Sequence, residues 1–139
     1  MIAPANGTRT RRTWHVLVVD DDLELSVLYQ ELLVTHGYRV SMAGNGVQAL
    51  KRLAESRIDA ILCDLNMPEL AGDLFYLQIC RSMPNMARRF IFVTGNTHDP
   101  LYESFLKNVK APVLSKPVSL EDMLETLQSV LPEESPVAA

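Results

Sequence analysis

Asp20, Asp21 and Asp22 follow directly on the apolar run Val16–Val19, Asp64 follows Ala60–Cys63, Thr94 follows Phe90–Val93, and Lys116 stands two residues beyond Ala111–Leu114. Carboxylates that meet in one place repel, raise one another's pKa and call for a hard divalent cation. Mg²⁺ suits them. It takes oxygen ligands in near-octahedral geometry and keeps several waters, so carboxylates plus a backbone carbonyl would leave the site open to phosphate. A lysine adds a compact positive charge and a threonine a hydroxyl donor, both fitted to phosphoryl oxygens. Together these residue types could handle a phosphoryl group at a metal-bound carboxylate, provided the chain brings four separate segments together.

The elements that must do this are short apolar runs of strand length alternating with helical patterns. Val16–Val19, Tyr38–Met42, Ala60–Cys63, Phe90–Val93 and Ala111–Leu114 are too short for helices and rich in Val, Ile and Phe. Four of the five are almost uninterrupted, as parallel strands covered on both faces should be; the second, with Arg39 and Ser41 alternating, reads as an edge. Between them Leu25, Leu28 and Leu32, and again Val47, Leu50 and Ala54, repeat at helical spacing. Helices are also expected over 73–82 and 99–109. The last helix carries Leu120, Met123, Leu124, Leu127, Val130 and Leu131 on one stripe, with Ser119 as its N-cap and Pro132 as its stop.

Five strand–helix units imply right-handed crossovers and a doubly wound parallel α/β sheet of order 2-1-3-4-5, the flavodoxin-like arrangement. In such sheets the functional crevice lies beyond the carboxyl ends of the strands, where the order reverses. All the polar residues named above are at those ends.

These residues resemble the receiver domains of two-component response regulators over residues 14–131. Leu17-Val18-Val19-Asp20-Asp21 is similar to the family's acidic pair and Asp64-Leu65-Asn66-Met67-Pro68 to its phosphoacceptor segment. Val93-Thr94-Gly95 is similar to its switch threonine, and Ser115-Lys116-Pro117 to its lysine, usually followed across a cis bond by proline. The resemblance implies that Asp64 accepts a phosphoryl group, that Asp21, Asp64 and the Asn66 carbonyl bind Mg²⁺ directly, and that Asp20 acts mainly through water. Lys116 would hold one phosphoryl oxygen and Thr94 would turn inward to another. It further implies a histidine kinase or phosphotransfer protein as partner, and a switch that catalyses its own phosphorylation and slow dephosphorylation instead of a turnover enzyme. The family's usual aromatic three residues before the lysine is Val113 here. The coupling of phosphorylation to the last two strand–helix units should therefore be muted. From Phe92 through Phe105-Leu106 to Pro117 the chain looks most like receivers attached to hybrid histidine kinases, which would make it a covalent part of a larger protein.

Three other readings start from the same sequence. Asp20-Asp21-Asp22 also resembles the nucleophile of haloacid-dehalogenase-type phosphatases, but the acidic pair these need later in the chain has only Glu121 and Asp122 as candidates, both on the final helix, and Asp64 would be idle. A non-phosphorylated pseudo-receiver has no reason to keep every site residue, and a flavin binder would need a phosphate loop after the first strand. Taken singly, Asp22 is a helix N-cap, Gly72 a turn residue and Asp73 a cap for the next helix. His15, His36 and His98 are surface or half-buried histidines, and Cys63 and Cys80 two reduced, buried thiols.

Length and composition agree with one globular domain: 139 residues, 47% hydrophobic, 22% charged. A net charge of −4 argues against a surface that neutralises nucleic-acid phosphates. Residues 1–13, with Arg9, Arg11 and Arg12, and 132–139 read as flexible tails without a function of their own. No apolar run approaches the ~20 residues of a membrane helix and no signal peptide is evident, so a cytoplasmic setting with no direct membrane contact is expected.

Overall fold

The computed structural model describes residues 13–132. The two expected tails lie outside them, apart from Thr13 and Pro132 at their inner edges. Five parallel strands, β1 (His15–Val19), β2 (Arg39–Ala43), β3 (Ala60–Asp64), β4 (Phe90–Thr94) and β5 (Val113–Ser115), form a sheet in the order β2-β1-β3-β4-β5. Six helical segments connect and close it: α1 (Leu23–Thr35), α2 (Gly46–Glu55), α3 (Gly72–Ser82), the single turn α4 (Pro84–Ala87), α5 (Glu103–Asn108) and α6 (Leu120–Val130).

Side chains alternate across a strand, so each apolar strand feeds two cores. Leu17, Val19, Ile61, Cys63, Phe90 and Phe92 pack with Phe75 and Ile79 of α3 on one face. Val16, Val18, Leu62, Ile91 and Val93 pack with Tyr29 and Leu33 of α1 and Met123 and Leu127 of α6 on the other. Burying a side chain of this size contributes about 1.5–3 kcal/mol, which is why β1, β3 and β4 read as unbroken apolar runs. On the first face Phe75, Tyr76, Phe90, Phe92 and Phe105 form a chain of ring contacts with centroids 4.8–6.1 Å apart. Each such pair adds about 0.5–1.5 kcal/mol beyond burial.

The expected helix faces need correction. On α1 the buried residues are Ser26, Tyr29 and Leu33, whereas Leu28 is 49% exposed and Leu25 and Leu32 are half-buried. The helix is apolar nearly all round, so helical spacing alone matches more than one stripe. On α2 the sheet receives Gly46 and Ala49, with Leu50 and Leu53 beside them, while Val47 is 46% exposed and Ala54 faces out. The small residues allow the closer approach.

The helix expected over 99–109 is shortened to α5. Asn96 Oδ1 accepts from His98 N–H at 2.9 Å and Asp99 Oδ1 from Leu101 N–H at 3.0 Å, and such local bonds compete with helical ones. Asp73 does not cap α3, which starts from Ala71 without a side-chain cap; Asp22 and Ser119 do cap α1 and α6. Cys63 is buried but Cys80 only partly so, and both are free. His15 is buried, its Nε2 2.7 Å from Ser41 Oγ; burial and the nearby Arg39 push its pKa down. Among the described residues no helix is long and apolar enough to cross a membrane.

Candidate phosphoacceptor site

β1 and β3 are adjacent with Val19 opposite Cys63, so Asp20 and Asp64 emerge side by side at the carboxyl edge. Asp20 is fixed by its backbone, whose N–H donates to Ala43 O at 3.0 Å, and by its side chain, whose Oδ1 accepts from Asp22 N–H at 2.9 Å. Asp20 and Asp64 are buried at 4% and 7% exposure, and Asp21 is open to solvent. One oxygen from each of the three lies within 4.8 Å of the others.

Lys116 follows β5 directly and is joined to Pro117 by a cis peptide bond. Its backbone N–H donates to Thr94 O at 2.8 Å. Its Nζ reaches across the sheet edge to donate to Asp20 Oδ2 at 3.0 Å and stands 3.5 Å from Asp64 Oδ2.

Two of the three carboxylates, Asp20 and Asp64, thus share one ammonium, and the electrostatics follow. Burial raises the Asp64 pKa most and the charge of Asp20 adds to it. Lys116 and the Asn66 backbone N–H oppose, Asp21 pushes up again, and the carboxyl is raised to about 6. Burial works against the charge on Lys116, but its hydrogen bond to Asp20 and the charges of Asp64 and Asp20 outweigh that, so its pKa stands above the ordinary value. Cys63, next to Asp64, is no competing nucleophile: burial pushes its thiol well up, and its Sγ lies 3.2 Å from Asp64 O.

The structure therefore brings together Asp20, Asp21, Asp64 and Lys116. Thr94 ends the next strand, 1% exposed, with its Oγ1 accepting from Asn96 N–H at 3.2 Å; it is engaged in its own turn and not with the acids. Asn66 is exposed in the loop after Asp64. Val113 faces a hollow of about 310 Å³ between β5 and α5, lined also by Thr97, His98, Glu103, Leu106 and Lys107. Glu121 and Asp122 lie exposed in the first turn of α6, outside the acidic cluster.

Two contributors escaped the sequence reading. Tyr29 is buried on α1, and its phenol is raised by burial, with Lys116 opposing and Asp20, Asp64 and Asp22 adding, so it borders the same electrostatic field. Helical spacing sets it on a stripe with Leu25 and Leu33 but says nothing of its nearness to the acids. Gly72 was legible only as a turn residue, but its φ is not positive; the requirement is close approach. A Cβ there would lie 2.3 Å from Asp64 O and 2.9 Å from Leu65 Cα, both backbone atoms that cannot swing aside. Gly72→Ala should therefore cost about 1–3 kcal/mol in urea unfolding and displace Asp64. Unchanged stability in that variant would show that the contact is slack.

Comparison with known proteins agrees with this geometry. The family model described as the response regulator receiver domain matches residues 16–128. The transcriptional regulatory protein ZraR of Klebsiella oxytoca is 35% identical over 126 residues, covering 88% of this chain and 28% of the relative. The response regulator MprA of Mycobacterium sp. (strain KMS) is 32% identical over 123 residues, covering 87% and 52%. The sensor kinase CckA of Brucella abortus is 29% identical over 121 residues, covering 86% and 13%. The chain thus spans about half or less of the length of these relatives. Among solved structures, the chemotaxis response regulator CheY4 of Vibrio cholerae superposes with a TM-score of 0.74 at 30% identity, over 86% of this chain and all of that one. The response regulator TrrA of Thermotoga maritima, solved in complex with Mg(2+)-BeF, gives 0.76 at 27% identity, over 86% and 100%.

Proposed function

The chain belongs to the response regulator receiver domain family, and from that premise we propose that it is a phosphoacceptor switch in which Asp64 takes a phosphoryl group from a histidine kinase or phosphotransfer protein. The observation that carries this reading is Lys116 Nζ between Asp20 and Asp64, at 3.0 and 3.5 Å, beside three carboxylates whose oxygens gather within 4.8 Å.

The donor set fits Mg²⁺: hard oxygens only, more negative charge than one lysine balances, and one acid open to water. Asp21, Asp64 and the Asn66 carbonyl would hold it and Asp20 would support it through water. Bound there, it would supply positive charge to offset the acids and the phosphoryl oxygens.

Asp64 then supplies the attacking carboxylate oxygen. Its bond to phosphorus forms as the bond from phosphorus to the donor nitrogen or acyl oxygen breaks, and the donor keeps that electron pair. Lys116, shared with Asp20 before transfer, would shift toward a phosphoryl oxygen, and the Thr94 hydroxyl would leave the Asn96 turn for another. No residue needs to shuttle a proton from an attacking group, because a carboxylate attacks as the anion. The outcome is a signalling state and not turnover, in the cytoplasm, on residues 14–131 as the functional unit. The match to part of a sensor kinase supports, at the level of resemblance, attachment to a hybrid kinase. The phosphatase alternative has no observation in its favour, since Glu121 and Asp122 lie away from the site.

Calorimetric titration with Mg²⁺ tests the metal half of the proposal. Trp14 precedes β1 at the opposite sheet edge, about 20 Å from Asp20 by strand rise, too far to report by fluorescence. Asp21→Asn should weaken Mg²⁺ at least tenfold, because it removes a direct charged ligand. Undiminished affinity would sink the assignment of Asp21.

A further inference from the structure

The loop from Leu65 to Ala71, between β3 and α3, carries Asn66, and its conformation is held from outside. Glu69 has φ 64°, the left-handed region, and among the described residues it is the non-glycine residue found there. An L side chain is disfavoured in that region, and no strand or helix ladder holds residue 69 in it. One side-chain contact reaches it from outside the loop: Asn45 Nδ2 donates to Glu69 Oε1 at 2.7 Å. Asn45 is itself 8% exposed and uses the other end of its amide to cap α2, Oδ1 accepting from Gln48 N–H at 2.9 Å.

Two glycines close the same loop down on its surroundings. A Cβ on Gly46 would lie 2.8 Å from Leu70 side-chain atoms, so the glycine lets Leu70 settle on the first residue of α2. Gly72 does the same against Asp64 O at the loop's far end. A loop this short, pinned at 69, 70 and 72, leaves little freedom to Asn66, three residues before the strained position.

We propose that Asn45 and Glu69 form a latch that positions the loop after Asp64, so that the start of α2 sets how well the Asn66 carbonyl is presented to a cation. Both are positioning residues, acting on the site through the loop backbone. The inference deepens the phosphoacceptor reading and rests on it only for the cation; the latch itself concerns the loop.

Asn45→Asp isolates the latch from the cap. Aspartate caps a helix as well as asparagine, but it turns an oxygen toward Glu69 where a donor stood. On the full chain, Asn45→Asp should weaken Mg²⁺ about tenfold by calorimetry, the size expected when a group that orients a ligand is lost. In metal-free protein it should speed amide exchange over 65–71 while leaving β1 unchanged.

Glu69→Gln alone keeps the accepting oxygen and should bind Mg²⁺ as wild type does. Added to Asn45→Asp, it restores a donor–acceptor pair in the reverse sense and should recover affinity. Glu69→Gly guards against a variant that does not fold, since glycine relieves the positive φ but removes the bond. Thermal stability should hold while Mg²⁺ affinity falls, a split that a merely structural role would not produce. Mg²⁺ affinity within about twofold of wild type in both Asn45→Asp and Glu69→Gly, far short of the expected loss, would overturn the latch. Wild-type protein without Mg²⁺ affinity would overturn the metal reading instead, and exchange over 65–71 would still decide the latch.

Discussion

Asp64→Asn should abolish labelling by acetyl phosphate or a phosphorylated kinase. A carboxamide lacks the anionic oxygen that attacks phosphorus and gives up one of the charges that would hold Mg²⁺, so a loss of several orders of magnitude is expected. Asp20→Asn should only slow the reaction, because in the proposed site Asp20, 3.0 Å from Lys116, would support the cation through water. Lys116→Arg is impaired as well: a planar fork does not reproduce a compact ammonium that must reach two carboxylates and then a phosphoryl oxygen. Alkali lability does not discriminate, since an acyl phosphate on either aspartate is labile. Mass spectrometry that places the adduct on Asp20, or label retained in Asp64→Asn, would falsify the receiver chemistry and favour the phosphatase reading.

In metal-free buffer the same substitution should raise stability near neutral pH. The folded-state pKa of Asp64 is raised from 3.8 to about 6 by burial, then by Asp20, against Lys116. Between those two values the folded chain binds more protons than the unfolded one, so stability falls as pH rises from about 4 to about 6 and levels off above. The gap corresponds to about 3 kcal/mol at most. Asp64→Asn removes that cost but also one contact of Lys116, which keeps Asp20. The net gain should be on the order of 2 kcal/mol, roughly 5–10 °C in Tm, at about pH 7, vanishing toward about pH 4. Mg²⁺ at about 100 times its Kd would return about 2.7 kcal/mol to the wild type and far less to the variant. Melting curves against pH in chelator measure it. An Asp64→Asn variant that melts no higher than wild type at neutral pH would mean that burial beside Asp20 does not hold the Asp64 carboxyl raised.

The sheet was legible because a parallel strand covered on both faces needs apolar residues at nearly every position, and β1, β3 and β4 have them apart from His15, Asp64 and Thr94 at their ends. Strand order followed from the common arrangement of doubly wound sheets, and Asp20, Asp64, Thr94 and Lys116 could be put on one edge because each follows closely on a run. Helix α6 was legible through its single stripe and its Ser119 cap. The packing face of α1 was not, because apolar residues surround that helix and only the sheet chooses Tyr29 and Leu33 over Leu28.

Which oxygen meets which nitrogen was likewise beyond the sequence. Lys116 could be assigned to phosphate, but its present sharing between Asp20 and Asp64 is a distance, set by how three strand ends converge. The same holds for Gly72 against Asp64 O, Gly46 against Leu70, and Asn45 bonded to Glu69 across 24 residues. By itself the sequence determined the residue types and the strand ends that carry them, since these follow from local pattern. Only the tertiary structure decided the contacts that hold the loop after Asp64, because close approach between distant segments leaves no periodicity to read.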